Sequence, residues 1–181
     1  MKRPSIVFLC LLIAACASLP RQATIEWPEH LQYLEASGDL RMSWRKVNFS
    51  GSVALKLDYP STFVLEIYGS FGQTIAYLKK EHGQFLLVAG DEKATDERVF
   101  EERYGLSLQQ FVDDLAMKGT RKQVNGVTVI ERADYVVSYG QDRKGRREVA
   151  WKGSDGTMSL VFTEVSFTQG DADGQDRGRK L

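Results

Sequence analysis

From Val53 onward the chain alternates apolar and polar residues with a period of two, and this pattern limits what it can fold into more than any other feature. Val53, Leu55, Leu57 and Tyr59 alternate with Ala54, Lys56 and Asp58, and Phe63, Leu65 and Ile67 alternate with Val64, Glu66 and Tyr68. Side chains two apart lie on one side of an extended strand, so each run predicts a strand with one apolar face. Similar runs follow at Thr74 to Lys80, Gln84 to Ala89, Val127 to Arg132, Tyr135 to Gln141, Arg147 to Lys152 and Met158 to Phe167. Turn signals such as Asn125-Gly126 and Ser154-Asp155-Gly156 separate them, and such short spacings favour an antiparallel meander. In the last run Met158, Leu160 and Phe162 give way to Thr163, Val165 and Phe167. That one-residue slip predicts a bulge and a bent sheet.

Helical spacing is scarce. Leu108, Phe111, Val112 and Leu115 share one face of a helix predicted over Leu106 to Lys118, with Ser107 as its cap. A shorter helix is expected over Asp96 to Tyr104. Another is expected over Pro28 to Ala36, where Leu31 and Leu34 share a side and Gly38 ends it. The expected fold class is mainly β with a few helices (α+β), built on a curved antiparallel sheet. One or two interior helices against about eight strands leave an apolar face short of cover. The sheet either closes on itself or forms a half-barrel with a hydrophobic cavity under a helical lid, unless side chains alone fill the space.

The N-terminal region carries an address. Lys2 and Arg3 precede an apolar run, Ile6 to Ala14, of about nine residues, far below the roughly 20 that span a bilayer. This is the layout of a cleaved secretory signal. Ile13-Ala14-Ala15-Cys16 resembles a lipobox, in which the cysteine becomes the first mature residue and carries an S-diacylglycerol and an N-acyl chain. Those chains bury dozens of methylenes at roughly 0.8 kcal/mol each, so anchoring would be lasting. Residues 1–15 are therefore expected to be signal, 16–27 the lipidated cysteine and a tether, 28–169 one domain, and 170–181 a polar, disordered tail. Ala17 after the cysteine resembles an outer-membrane sorting signal.

The chemistry-bearing inventory is thin. The chain has two cysteines, Cys10 within the signal and Cys16, so the mature domain is left without a thiol nucleophile, disulfide or cysteine ligand. Removing Lys2 and Arg3 from a chain of zero formal charge leaves it slightly acidic, which argues against nucleic acid. His30 and His82 are the two imidazoles and stand near no catalytic or metal spacing. Asp113-Asp114 and Glu101-Glu102 read as polar helix faces rather than an acid and base pair. No enzymatic activity, metal or further cofactor is expected. Arg143-Lys144-Gly145-Arg146-Arg147 reads as a solvated basic turn, with contact to anionic headgroups or an acidic partner as the alternative. Phe71, flanked by Gly69-Ser70 and Gly72, stands at a hairpin tip; it either folds back on the sheet edge or inserts into a membrane interface for about 1.5–3 kcal/mol.

The order of these elements resembles the family of the outer-membrane lipoprotein receptor LolB. The resemblance runs from about Glu29 to Phe167. It rests on the hairpin turn Gly69-Ser70-Phe71-Gly72-Gln73, set between Val64-Leu65-Glu66-Ile67-Tyr68 and Thr74-Ile75-Ala76-Tyr77, and on the helix Ser107-Leu108-Gln109-Gln110-Phe111-Val112. It implies an open half-barrel with helices in its concavity. Its cavity would hold acyl chains of a lipoprotein delivered by a soluble periplasmic carrier, for release into the outer membrane. The protein would sit lipid-anchored on the periplasmic face, as a monomer. Phe71 matches the protruding residue that assists release, where the family commonly has Leu. Phe111 or Val112 stands where the lid helix often has Trp. The candidate cavity lining is Val53, Leu55, Leu57, Phe63, Leu65, Ile67, Ile75, Tyr77, Leu87, Phe111 and Leu115. The alternative is a non-enzymatic envelope scaffold lipoprotein with a filled core that binds protein partners. An envelope hydrolase has less support.

Overall fold

The computed structural model of the chain describes residues 27–29 and 31–169. Among them, six strands come first: β1 (Leu31–Trp44), β2 (Val47–Asp58), β3 (Thr62–Tyr68), β4 (Thr74–Glu81), β5 (Gln84–Ala89) and β6 (Glu92–Ala94). Two short helices follow, α1 (Arg98–Tyr104) and α2 (Leu108–Leu115). Five more strands complete the described chain: β7 (Arg121–Val124), β8 (Val127–Glu131), β9 (Tyr135–Gln141), β10 (Arg147–Gly153) and β11 (Gly156–Gln169). All eleven strands form one antiparallel sheet in the order β6-β5-β4-β3-β2-β1-β11-β10-β9-β8-β7. Two meanders of hairpins are thus joined through the first and last strands. The sheet does not close, because β6 and β7 stand at its two edges. At three and four residues, these edges offer little backbone for another chain to pair with.

Ring geometry shows that the sheet curls. Phe111 of α2 lies 5.8 Å from the Phe63 ring on β3 and 5.3 Å from the Trp151 ring on β10. Those strands are four places apart in the sheet order. In a flat sheet that is about 19 Å at ~4.8 Å per spacing, too far for one ring to meet both without bending. The predicted bulge contributes. Ser37 pairs with Glu164 and Gly38 with Phe162, so Thr163 is the extra residue, at the position where the apolar register slips. Gly38 is needed there: a Cβ on it would come within 2.4 Å of the Val161 carbonyl oxygen.

The expected first helix over Pro28 to Ala36 is instead the start of β1, a strand bonded on both sides to β2 and β11. The cause is visible in the register, which shifts between Leu31 and Tyr33. This irregularity puts Leu31 and Leu34, three apart, on the same buried side, whereas Leu34, Ala36 and Leu40 then keep the strand period. A strand with one irregular step therefore imitates helical spacing. The short strands β6 and β7 also escape the periodicity, since Arg121-Lys122-Gln123-Val124 has a single apolar residue.

Elsewhere the local signals hold. Asn125 and Gly126 have φ of 52° and 80°, as a two-residue hairpin between Val124 and Val127 requires. Ser107 caps α2: its hydroxyl accepts from the Gln110 N–H at 3.1 Å, and the Gln110 side-chain oxygen accepts from the Ser107 N–H. α2 is shorter than expected and ends before Met117, whose φ of 57° is incompatible with continuing the helix. Its stripe Leu108, Phe111, Val112 and Leu115 is fully buried in the same core as the inward residues of the strands.

Candidate functional site

Three features of the inner face and one end of the sheet carry chemistry. The first is the β3–β4 hairpin. The Gly69 N–H donates to the Gln73 carbonyl at 2.9 Å and the Gly72 N–H to the Gly69 carbonyl at 3.0 Å. Gln73 folds beneath the turn, its side-chain oxygen accepting from the Phe71 N–H at 3.2 Å. Gly69 leaves room for that amide, since a Cβ there would meet Gln73 Nε2 at 2.7 Å, and Gly72 adopts φ of 77°. The turn is therefore ordered by its own backbone while Phe71 projects from it 95% exposed. It does not fold back on the sheet edge.

Just behind the hairpin lies an apolar space of about 60 Å³. Its walls come from Leu40, Met42 and Trp44 on β1, Leu65 and Ile67 on β3, and Ala76, Tyr77 and Leu78 on β4. Leu87, Phe100, Tyr104, Leu106, Phe111 and Met158 complete it. Ile67 and Ala76, the last regular pair before the hairpin, are among its walls, so this space reaches the base of the hairpin that carries Phe71. Rings occupy much of the inner face: Phe100 stacks 4.7 Å from Tyr104 and 6.2 Å from Phe111. The Trp44 indole N–H donates to the Tyr104 carbonyl at 2.7 Å and so pins the C-terminal end of α1 to β1.

The third feature joins α2 to the other half of the sheet. Asp114 is fully buried. Its carboxylate accepts from Arg132 Nε and Nη2 at 2.9 and 2.6 Å, from the Tyr135 hydroxyl at 2.9 Å and from the Trp151 indole N–H at 3.0 Å. The Tyr139 hydroxyl donates to the Asp114 backbone carbonyl at 2.7 Å. Burial pushes the Asp114 carboxyl above the ordinary carboxylate range, while the Arg132, Tyr135 and Trp151 donors pull the other way. Burial likewise raises the Tyr135 and Tyr139 hydroxyls, so both remain donors at any ordinary pH. Asp114 thus corrects the reading of Asp113-Asp114 as a polar helix face. Asp113 is half-buried and accepts from Tyr59 and Gln109. Asp114 sits three residues after Phe111 at the edge of the apolar stripe, and that position was the available signal.

No family model matches the chain, and neither does any curated protein.

Of the predicted cavity residues, Leu65, Ile67, Tyr77, Leu87 and Phe111 line the inner space. Val53, Leu55, Leu57, Phe63 and Leu115 are buried in the core without bordering it, and Ile75 is half-buried beside the hairpin. The periodicity missed the contributions of β1 and α1, namely Leu40, Met42, Trp44, Phe100 and Tyr104. For β1 the reason is its reading as a helix. Cys16, His30, the signal, most of the tether and the tail lie outside the described residues. His82 is exposed in the β4–β5 turn.

The basic turn is ordered by Asp142. That carboxylate accepts from the Lys144 and Arg146 N–H groups and from Arg146 Nε, and Arg146 also meets Asp39 at 3.2 Å. Arg147 stacks over the Phe167 ring at 4.8 Å. Arg143 and Lys144 are exposed. Among the described residues there is no cluster of three or more metal-ligating side chains and no helix long and apolar enough to cross a membrane.

Proposed function

We propose that this chain is a lipid-anchored acceptor of acyl chains: an open half-barrel whose helices act as a lid, which takes lipoproteins from a soluble periplasmic carrier and releases them into the outer membrane. The reading rests above all on Phe71, an almost fully exposed aromatic held out by an internally bonded turn whose base borders an apolar space. A large apolar side chain at a tip contributes nothing to the core, and its exposure is explained by a surface that covers it. A membrane touched by Phe71 would face the adjacent apolar space, so a hydrocarbon chain could pass between them without crossing water. The resemblance to the LolB family supplies the cargo and the direction of transfer.

The apolar space in its present form is too small for the cargo. At about 60 Å³ it is less than half of the roughly 150 Å³ void that takes up benzene. Under this reading the structure is a closed state, and an arriving chain displaces Phe100, Tyr104 and Phe111. Titrating a dansyl-labelled undecanoic acid into the full chain carrying Cys16→Ala, which has no acyl groups of its own, tests it. Saturable enhancement of dansyl emission is expected. Absence of binding by the folded protein would favour the second reading, a scaffold lipoprotein with a filled interior, which the small volume of that space would then support.

A further inference from the structure

We infer that hydrocarbon chains enter sideways, between α1 and the β5–β6 edge, rather than at the Phe71 tip itself; the inference rests on the acyl-binding reading. A groove of about 300 Å³ lies at that edge, lined by Leu87, Ala89, Ala94 and Val99 together with the charged Glu92, Lys93 and Arg103. Leu87 also lines the inner space, so groove and interior share a wall residue. The groove has about twice the volume that holds benzene, enough for roughly a dozen carbons of an alkyl chain. The inner space alone has no such room.

The two edges of the sheet are closed very differently. On the β7–β10 side, Asp114, Arg132, Tyr135, Tyr139 and Trp151 tie α2 down through buried hydrogen bonds. On the β5–β6 side, the sheet ends in three residue pairs, and the seam between β6 and α1 is an ion pair of Glu92 and Arg103 with side chains 69% and 33% exposed. An ion pair so exposed is screened by water and opens readily. Trp44 and Lys80 hold the two ends of α1, through Tyr104 and Glu97, so the seam opens without the helix detaching. An alkyl chain laid in the groove meets Leu87, Ala89, Ala94 and Val99, and continues inward past Leu87 by displacing the rings that fill the inner space.

Stopped-flow mixing of the dansyl-labelled undecanoic acid with the full chain carrying Cys16→Ala tests the portal. Ala89→Trp fills the groove and is expected to slow uptake about tenfold with the final amplitude retained, as for binding gated by a protein rearrangement. Glu92→Ala unlatches the seam and is expected to speed uptake. Unchanged uptake in folded Ala89→Trp overturns the portal while leaving acyl binding intact. If Ala89→Trp does not fold, Glu92→Ala decides: faster entry supports the portal and an unchanged rate overturns it. Failure of the parent protein to bind the probe overturns both the portal and the acyl-binding reading.

Discussion

Replacing Phe71 with Glu separates a membrane-facing tip from a structural one. Phe71 is 95% exposed, and its one hydrogen bond is made by its backbone N–H, which the substitution keeps. The unfolding free energy should therefore change by no more than about 0.5 kcal/mol. In a chain of this size that moves the melting temperature by about 2 °C or less. At a membrane the effect is large. Withdrawing the ring from water is worth about 1.5–3 kcal/mol, and at ~1.4 kcal/mol per decade its loss lowers the insertion constant roughly 10- to 140-fold before any cost of the new charge. The acylated full chain in vesicles is the suitable sample, because the anchor makes insertion of the tip an intramolecular equilibrium. Cys10 and Cys16 are the chain's two cysteines, the first expected to leave with the signal and the second to be acylated, so Ser70→Cys offers a unique thiol beside the tip. An NBD label there should be quenched by spin-labelled lipid when residue 71 is Phe and far less with Phe71→Glu. Equal quenching in both proteins would refute insertion, and a melting point lower by more than about 5 °C would place Phe71 in the core instead.

Asp114→Ala should cost about 3–5 kcal/mol of a total near 5–15, because it leaves the Arg132 guanidinium, the Tyr135 hydroxyl and the Trp151 N–H without their shared acceptor. A loss below about 1 kcal/mol in urea unfolding would show that the node does not hold α2. Since burial raises the Asp114 carboxyl in the folded state, the stability it contributes is complete below the unfolded-state carboxylate range and is lost as pH rises through the folded value. Asp114→Asn should accordingly flatten the dependence of the urea midpoint on pH from that range upward, and parallel profiles would refute the direction. Gly38→Ala drives a Cβ to 2.4 Å from the Val161 oxygen and should cost about 1–3 kcal/mol. Undiminished thermal stability would mean that β1 and β11 are not held this close at the bulge.

Asp114 and the edge seam together divide the molecule into a firm half and a yielding one. Buried hydrogen bonds to a carboxylate with no access to water are expensive to break, whereas an exposed ion pair exchanges readily with solvent. If the helices act as the proposed lid, the portal proposed above puts its opening beside α1 and the short edge strand β6. Phe100 and Tyr104 stand on the side of the inner face that borders the exposed ion pair, whereas Phe111 stands against Trp151, which donates to Asp114.

What the sequence determines by itself here is local. The period-two runs yield most strands within a residue or two. Asn125-Gly126 yields a hairpin, Ser107 a helix cap, the slip after Phe162 a bulge, and the glycines around Phe71 a hairpin tip, whose exposure only the structure decided. Each follows from backbone geometry acting over a few residues. The strand identity of β1 was not legible, because its irregular step between Leu31 and Tyr33 mimics helical spacing and because its partner β11 lies at the far end of the chain. The walls that β1 lends to the inner space depend on that same pairing, and the burial of Asp114 depends on residues 18 to 37 positions further on packing over α2. Only when the first and last strands meet do two meanders become one curled sheet, and only that curl brings Phe63, Phe111 and Trp151 to one point. Contacts between residues so distant in sequence are selected by the packing of the whole, which local patterns do not encode.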